Sequence, residues 1–132
     1  MGRGRAKCPP HTAVATVGLL AAVALACPAL AADTNSGKAM FSRCAACHTT
    51  QKGGPNGLGP NLFGVVGRRA GSKTDFSYST ALKNSGIVWS SQKLDSWIAN
   101  PAKMVPGTRM IFPGIADQKQ RTDLIAYLAT LK

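Results

Sequence analysis

Acidic residues are scarce in this 132-residue chain, which sets five Asp and no Glu against sixteen Lys and Arg for a formal charge of +11. Such a surface seeks anionic partners. Nucleic acid is not among them, because a nucleic-acid reader gathers its cations in a stripe or interleaves them with aromatics, and here they are scattered. Histidine is scarcer still. Only His11 and His48 occur, and beyond the group Cys44-Ala45-Ala46-Cys47-His48 there is no second Cys or His pair, which excludes a four-ligand zinc site. The longest apolar run, Thr12 to Ala26, is about 15 residues, short of the roughly 20 that a spanning helix needs. No segment alternates apolar and polar side chains convincingly, and no repeat or low-complexity tract follows the first thirty-odd residues. These absences leave one small all-α domain.

The first thirty-odd residues differ from the rest. Met1 to Lys7 carries Arg3, Arg5 and Lys7 without an acid, the apolar run follows, and Ala29-Leu30-Ala31 closes it with small residues at alternate positions. That layout predicts a cleaved signal peptide over 1–31 and a mature domain over 32–132. A retained anchor is disfavoured by the short run, and lipidation of Cys27 by Ala24, which stands where a larger aliphatic residue is wanted. Cleavage removes Cys8, Cys27 and His11, leaving Cys44 and Cys47 as the only thiols and His48 as the only imidazole. Thirteen Lys and Arg against five Asp then leave a charge of about +8.

Two thiols three residues apart, followed at once by an imidazole, read as a c-type haem attachment site. On one helical turn Cys44 and Cys47 share a face, so both sulfurs can add to the two vinyl groups of one porphyrin edge while His48 reaches the iron. A thioredoxin-like redox pair would want a βαβ setting, and the flanks show Gly-rich loops and helical periodicity. A structural Cys44–Cys47 disulfide would leave His48 unexplained and would close too small a loop to stabilise much.

Asn35-Ser36 offers a cap for a short helix from Gly37 to about Cys47, with Met40, Phe41, Cys44 and Cys47 at helical spacing. Thr49 to Val66, punctuated by Gly53-Gly54-Pro55, Gly57, Gly59-Pro60 and Gly64, is a long loop, and a flat apolar cofactor is a reason for such a loop to be ordered. Thr80 to Lys83 makes one turn. Ser90 or Ser91 caps a helix through Leu94, Trp97 and Ile98 that ends at Asn100-Pro101, and Asp117 with Gln120 opens a last helix whose apolar stripe is Leu124, Ile125, Tyr127, Leu128 and Leu131. Iron held by His48 needs a partner on its other face, and that partner separates an electron carrier from a ligand-binding protein. Met40 belongs to the first helix. Met104 and Met110 flank the Pro- and Gly-punctuated loop Val105-Pro106-Gly107-Thr108-Arg109, and residue chemistry alone does not choose between them.

The chain resembles the mitochondrial-type class I cytochromes c. The likeness is carried by Gly37 and Phe41, Cys44 to His48, Gly59-Pro60-Asn61-Leu62, Gly67-Arg68, Phe76-Ser77-Tyr78, Gly86-Ile87-Val88-Trp89, the run Asn100 to Phe112, and Asp123 to Leu128. It implies a fold of short helices and long loops around one covalently attached haem c, with His48 and Met110 on the iron. It further implies that the Pro60 carbonyl orients His48, that Arg68, Tyr78 and Trp89 meet the buried propionate, and that Gly37 and Phe41 pack the first helix across the last. Leu82 stands where many relatives have Asn, and Trp97 where they usually have Tyr, which predicts a drier pocket. The basic ring at the haem edge is thin: Arg43, Lys52, Lys103 and Arg109 remain, but Gly57, Ala102, Ala116 and Asp117 fall where lysines often lie. Docking is therefore expected to be weaker and less salt-sensitive.

The function implied is a periplasmic, monomeric one-electron shuttle and not an enzyme, since haem attachment of this kind occurs outside the bacterial inner membrane. Its expected partners are a quinol–cytochrome c oxidoreductase and then a terminal oxidase, a peroxidase or a photosynthetic reaction centre. A haem peroxidase or gas sensor with an open distal site is the rival, opposed by the methionine loop and by the lack of a distal His or second haem motif. A redox subunit tied to a membrane complex is the third reading.

Overall fold

The computed structural model describes residues 31–132, so the signal-peptide reading, with Cys8, His11 and Cys27, falls outside the described residues except for Ala31. Helix α1 spans Thr34–Met40. Its cap is Asp33, not the Asn35-Ser36 expected from the sequence: the Asp33 carboxylate accepts from the N–H groups of Asn35 and Ser36 at 2.9 and 3.3 Å. The helix also stops short of Cys47. At Phe41–Arg43 it tightens into a 3₁₀ turn, and successive turns carry the chain through the Cys44–His48 motif. Cys47 N–H donates to the Cys44 carbonyl at 3.0 Å, an i to i+3 bond that places the two cysteines nearly in register along the coil.

Helices α2 (Thr80–Lys83) and α3 (Ser91–Ala99) are capped by the hydroxyls of Ser79 and Ser90. Asn100 ends α3 and, through its side chain, caps the one-turn helix α4 (Pro101–Met104), with Pro101 at its first position. Helix α5 covers Gln118–Thr130 under an Asp117 cap. Among the described residues there is no strand, only an isolated antiparallel bridge between Arg69 and Val88.

Helices α1 and α5 cross at Gly37, where a Cβ would lie 2.0 Å from the Asp123 carbonyl oxygen, so only glycine permits this approach. Beside the crossing, the Phe41 and Tyr127 rings pack at 5.7 Å. The Asp123 carboxylate binds Lys119 Nζ at 2.6 and 2.7 Å and accepts from the N–H of Asp33 at 2.8 Å, tying the entry of α1 to α5. Arg121 ties α5 to α3: it bonds Asp95 at 2.7 Å and donates to the carbonyls of Ile115 and Ala116. Leu94, Trp97 and Ile98 of α3 join Leu124, Ile125 and Leu128 of α5 in the core. No described helix is long and apolar enough to cross a membrane.

Candidate functional site

Packed interiors hold few voids larger than a water molecule, yet this fold encloses a cavity of about 640 Å³. That is the size of a cofactor site rather than a packing defect. Cys44, Cys47, His48, Pro60, Arg68, Tyr78, Leu82, Trp89, Trp97 and Met110 all line it. The remaining wall is largely apolar, with Phe41, Leu62, Val65, Leu94, Ile98, Phe112, Leu124 and Leu128. A flat apolar ring with two sulfur-reactive groups along one edge and a metal centre fits this donor set: two free thiols, one imidazole and one thioether in a greasy slot. Burial pushes the Cys44 thiol above its ordinary pKa, with Arg43 opposing.

The imidazole is held from two sides. His48 Nδ1 lies 2.7 Å from the Pro60 carbonyl oxygen, which can only accept, so Nδ1 carries the proton and Nε2 keeps a lone pair. Burial also lowers the pKa of His48, against the bond to Pro60, and so favours the neutral ring that a metal requires. The facing loop lies directly on the motif. Gly59 N–H donates to the Cys47 carbonyl at 2.8 Å, and a Cβ at Gly59 would stand 2.3 Å from His48 Cε1.

Two segments from the middle of the chain build the polar corner. Backbone bonds between Arg68 and Trp89, and between Gly67 and Trp89, bring these segments together at 2.9 and 2.8 Å. The Arg68 guanidinium donates to the Phe63 and Asn61 carbonyls, both at 3.0 Å, and desolvation lowers its pKa. Tyr78 is buried beside it, with Phe76 edge-on at 4.9 Å. Trp97 packs at 5.3 Å on Trp89.

The two candidate methionines are separated in space. Met110 lines the cavity, its N–H bonded to Thr108 Oγ1 at 3.2 Å behind a left-handed Gly107 at φ +88°. Met104 instead lines a shallow cleft with Ala81, Ser85, Ile87, Lys93, Val105 and Pro106. The residue patterns assign no separate role to Asn56, Asn61 or Leu58. Asn61, 4 % exposed, donates through Nδ2 to the Gln51 and Gly54 carbonyls and accepts at Oδ1 from Phe63 N–H, which orders the long loop. Asn61 stands in a run that carries the family resemblance, whereas the signal for Asn56 and Leu58 is their place between glycines in a loop too long to be ordered without a reason.

Comparison with known proteins agrees with this geometry. The Cytochrome c family profile matches residues 35–132. Cytochrome c of Theileria annulata is 53% identical over 97 residues, covering 73% of this chain and 84% of that protein. Cytochrome c2 of Rhodoblastus acidophilus is 44% identical over 102 residues, covering 77% and 95%. Among solved structures, cytochrome cH from Methylobacterium extorquens superposes with a TM-score of 0.70 at 48% identity, covering 74% of this chain and 98% of that one. The chain therefore belongs to the cytochrome c family, whose members carry one covalently attached haem c and move electrons rather than turn over a substrate.

Proposed function

We propose that the chain is a one-electron shuttle whose haem c would be joined to Cys44 and Cys47, with His48 and Met110 supplying the ligands to its iron. The haem supplies the electron through its iron; the protein supplies ligands, orientation and a dry wall. Pro60 fixes the tautomer that offers Nε2 of His48. Met110 contributes a thioether, which favours ferrous iron and raises the reduction potential. Trp97 and Leu82 present apolar surface in place of polar groups and keep water out, while Arg68, Tyr78 and Trp89 receive a propionate. The observation that carries the reading is that Met110, and not Met104, shares one cavity with both thiols and His48.

Export through cleavage of 1–31 places the shuttle in the periplasm as a monomer. There it docks transiently, taking electrons from a quinol–cytochrome c oxidoreductase and passing them to a terminal oxidase, a peroxidase or a photosynthetic reaction centre. The test is the optical spectrum of the oxidised holoprotein made by periplasmic expression. The weak far-red sulfur-to-iron charge-transfer band is expected in the wild type and in Met104→Ala, and is expected to vanish in Met110→Ala. Its absence from the wild type at neutral pH, with haem covalently bound, would make the open-site peroxidase or gas sensor the better reading.

A further inference from the structure

The carbonyl that orients His48 belongs to the peptide joining Pro60 to Asn61, and the other end of that peptide is also held. Asn61 N–H donates to Asn56 Oδ1 at 2.8 Å. Asn56 is itself anchored, because its Nδ2 donates to the Asp75 carbonyl at 2.9 Å. One hydrogen-bonded file thus runs from the backbone at residue 75, through the Asn56 amide and the Pro60–Asn61 peptide, to Nδ1 of His48. Pro60 has no N–H of its own to fix the plane of this strand of loop. Gly59 cannot fix it by bulk, since the ring occupies the space a side chain would take.

We propose that Asn56 is a positioning residue for His48, acting through the Pro60–Asn61 peptide and not by touching the cofactor. Hydrogen bonds in a chain polarise one another, so acceptance of the peptide N–H by Asn56 makes the Pro60 oxygen a stronger acceptor. A stronger acceptor draws on the Nδ1 proton and gives Nε2 more donor strength, as outer partners of ligating histidines do. A more basic axial ligand favours ferric iron, so Asn56 lowers the reduction potential. An amide does this without titrating, so the effect is the same at any pH at which the protein is folded.

The inference rests on His48 being an iron ligand, and the experiment separates the two. Wild-type, Asn56→Leu and Asn56→His holoproteins are compared by spectroelectrochemistry and by proton NMR of the ferrous state. The wild type tests ligation: His48 ring protons without strong ring-current shifts would overturn that premise. Given ligation, Asn56→Leu is expected to raise the potential and to hasten exchange of the His48 Nδ1 proton. Asn56→His, which accepts at one ring nitrogen and donates at the other, is expected to restore both. Should Asn56→Leu not fold, Asn56→Ser, too short to span both partners, is expected to show the same two changes in smaller degree. A melting temperature that falls while potential and exchange stay at wild-type values would make Asn56 a loop staple only and end the proposal.

Discussion

At Gly59 a single methyl decides whether the imidazole keeps its place. An added Cβ would meet His48 Cε1 at 2.3 Å and Nδ1 at 2.7 Å, with the Pro60 carbonyl already fixed on the ring's edge. Gly59→Ala is expected to displace the ring or the loop at the roughly 1–3 kcal/mol typical of overpacking. Thermal unfolding of the holoprotein should then fall by several degrees, and the yield of covalently loaded protein should drop with it. An alanine variant matching wild type in both would show that the loop yields freely. The cofactor motif was legible at this scale because five adjacent residues carry it. The choice of Met110 over Met104 was legible only through the family resemblance and not from residue chemistry, since both flank the same Pro-Gly turn and only the path of the chain after α4 puts Met110 on the cavity and Met104 off it.

Among the helices, α3 and α5 stand where their Ser and Asp caps and apolar stripes place them. Helix α1 does not, because four consecutive residues of capping chemistry, Asp33 to Ser36, compete and extended backbone at Asp33 wins at φ −108°. Helix α4 was hidden because Asn100-Pro101 reads as a stop, while the same Asn also starts a new turn. The α1–α5 joint carries a pH signature. The N–H of Asp33, followed by Lys119, holds the Asp123 carboxyl below its ordinary value of 3.8, and bonds from Ser36 and Asn35 do the same for Asp33. A depressed carboxyl pKa contributes stability that is complete above the unfolded value and is lost as pH falls from there through the lower folded value. Urea midpoints measured between about pH 5 and 2 should therefore fall more steeply for wild type than for Asp123→Asn. Parallel slopes would place the acid sensitivity elsewhere.

Over the whole molecule, the mouth of the cavity combines few cations with bare apolar surface. The exposed Arg43, Arg69 and Arg109 line it, as do Leu58, 84 % exposed, and Ile111, 100 % exposed. Association with an acidic redox partner is expected to decline less steeply with salt than for a lysine-rich relative. Leu58→Ser should raise the dissociation rate by about tenfold, the weight of roughly 1.5 kcal/mol for one leucine buried at the contact, without changing the salt slope. Stopped-flow rates across a salt series check both, and a steep slope in the wild type would contradict the first.

The five aspartates have one more consequence. Asp33 and Asp117 cap helices, while Asp75, Asp95 and Asp123 bond Lys73, Arg121 and Lys119. The one histidine among the described residues faces the cavity. The outer surface of the described residues thus carries no imidazole, the side chain whose ordinary pKa lies in the neutral range. Among the described residues, no imidazole is therefore available to switch the charge of the face shown to a partner between about pH 5 and 8.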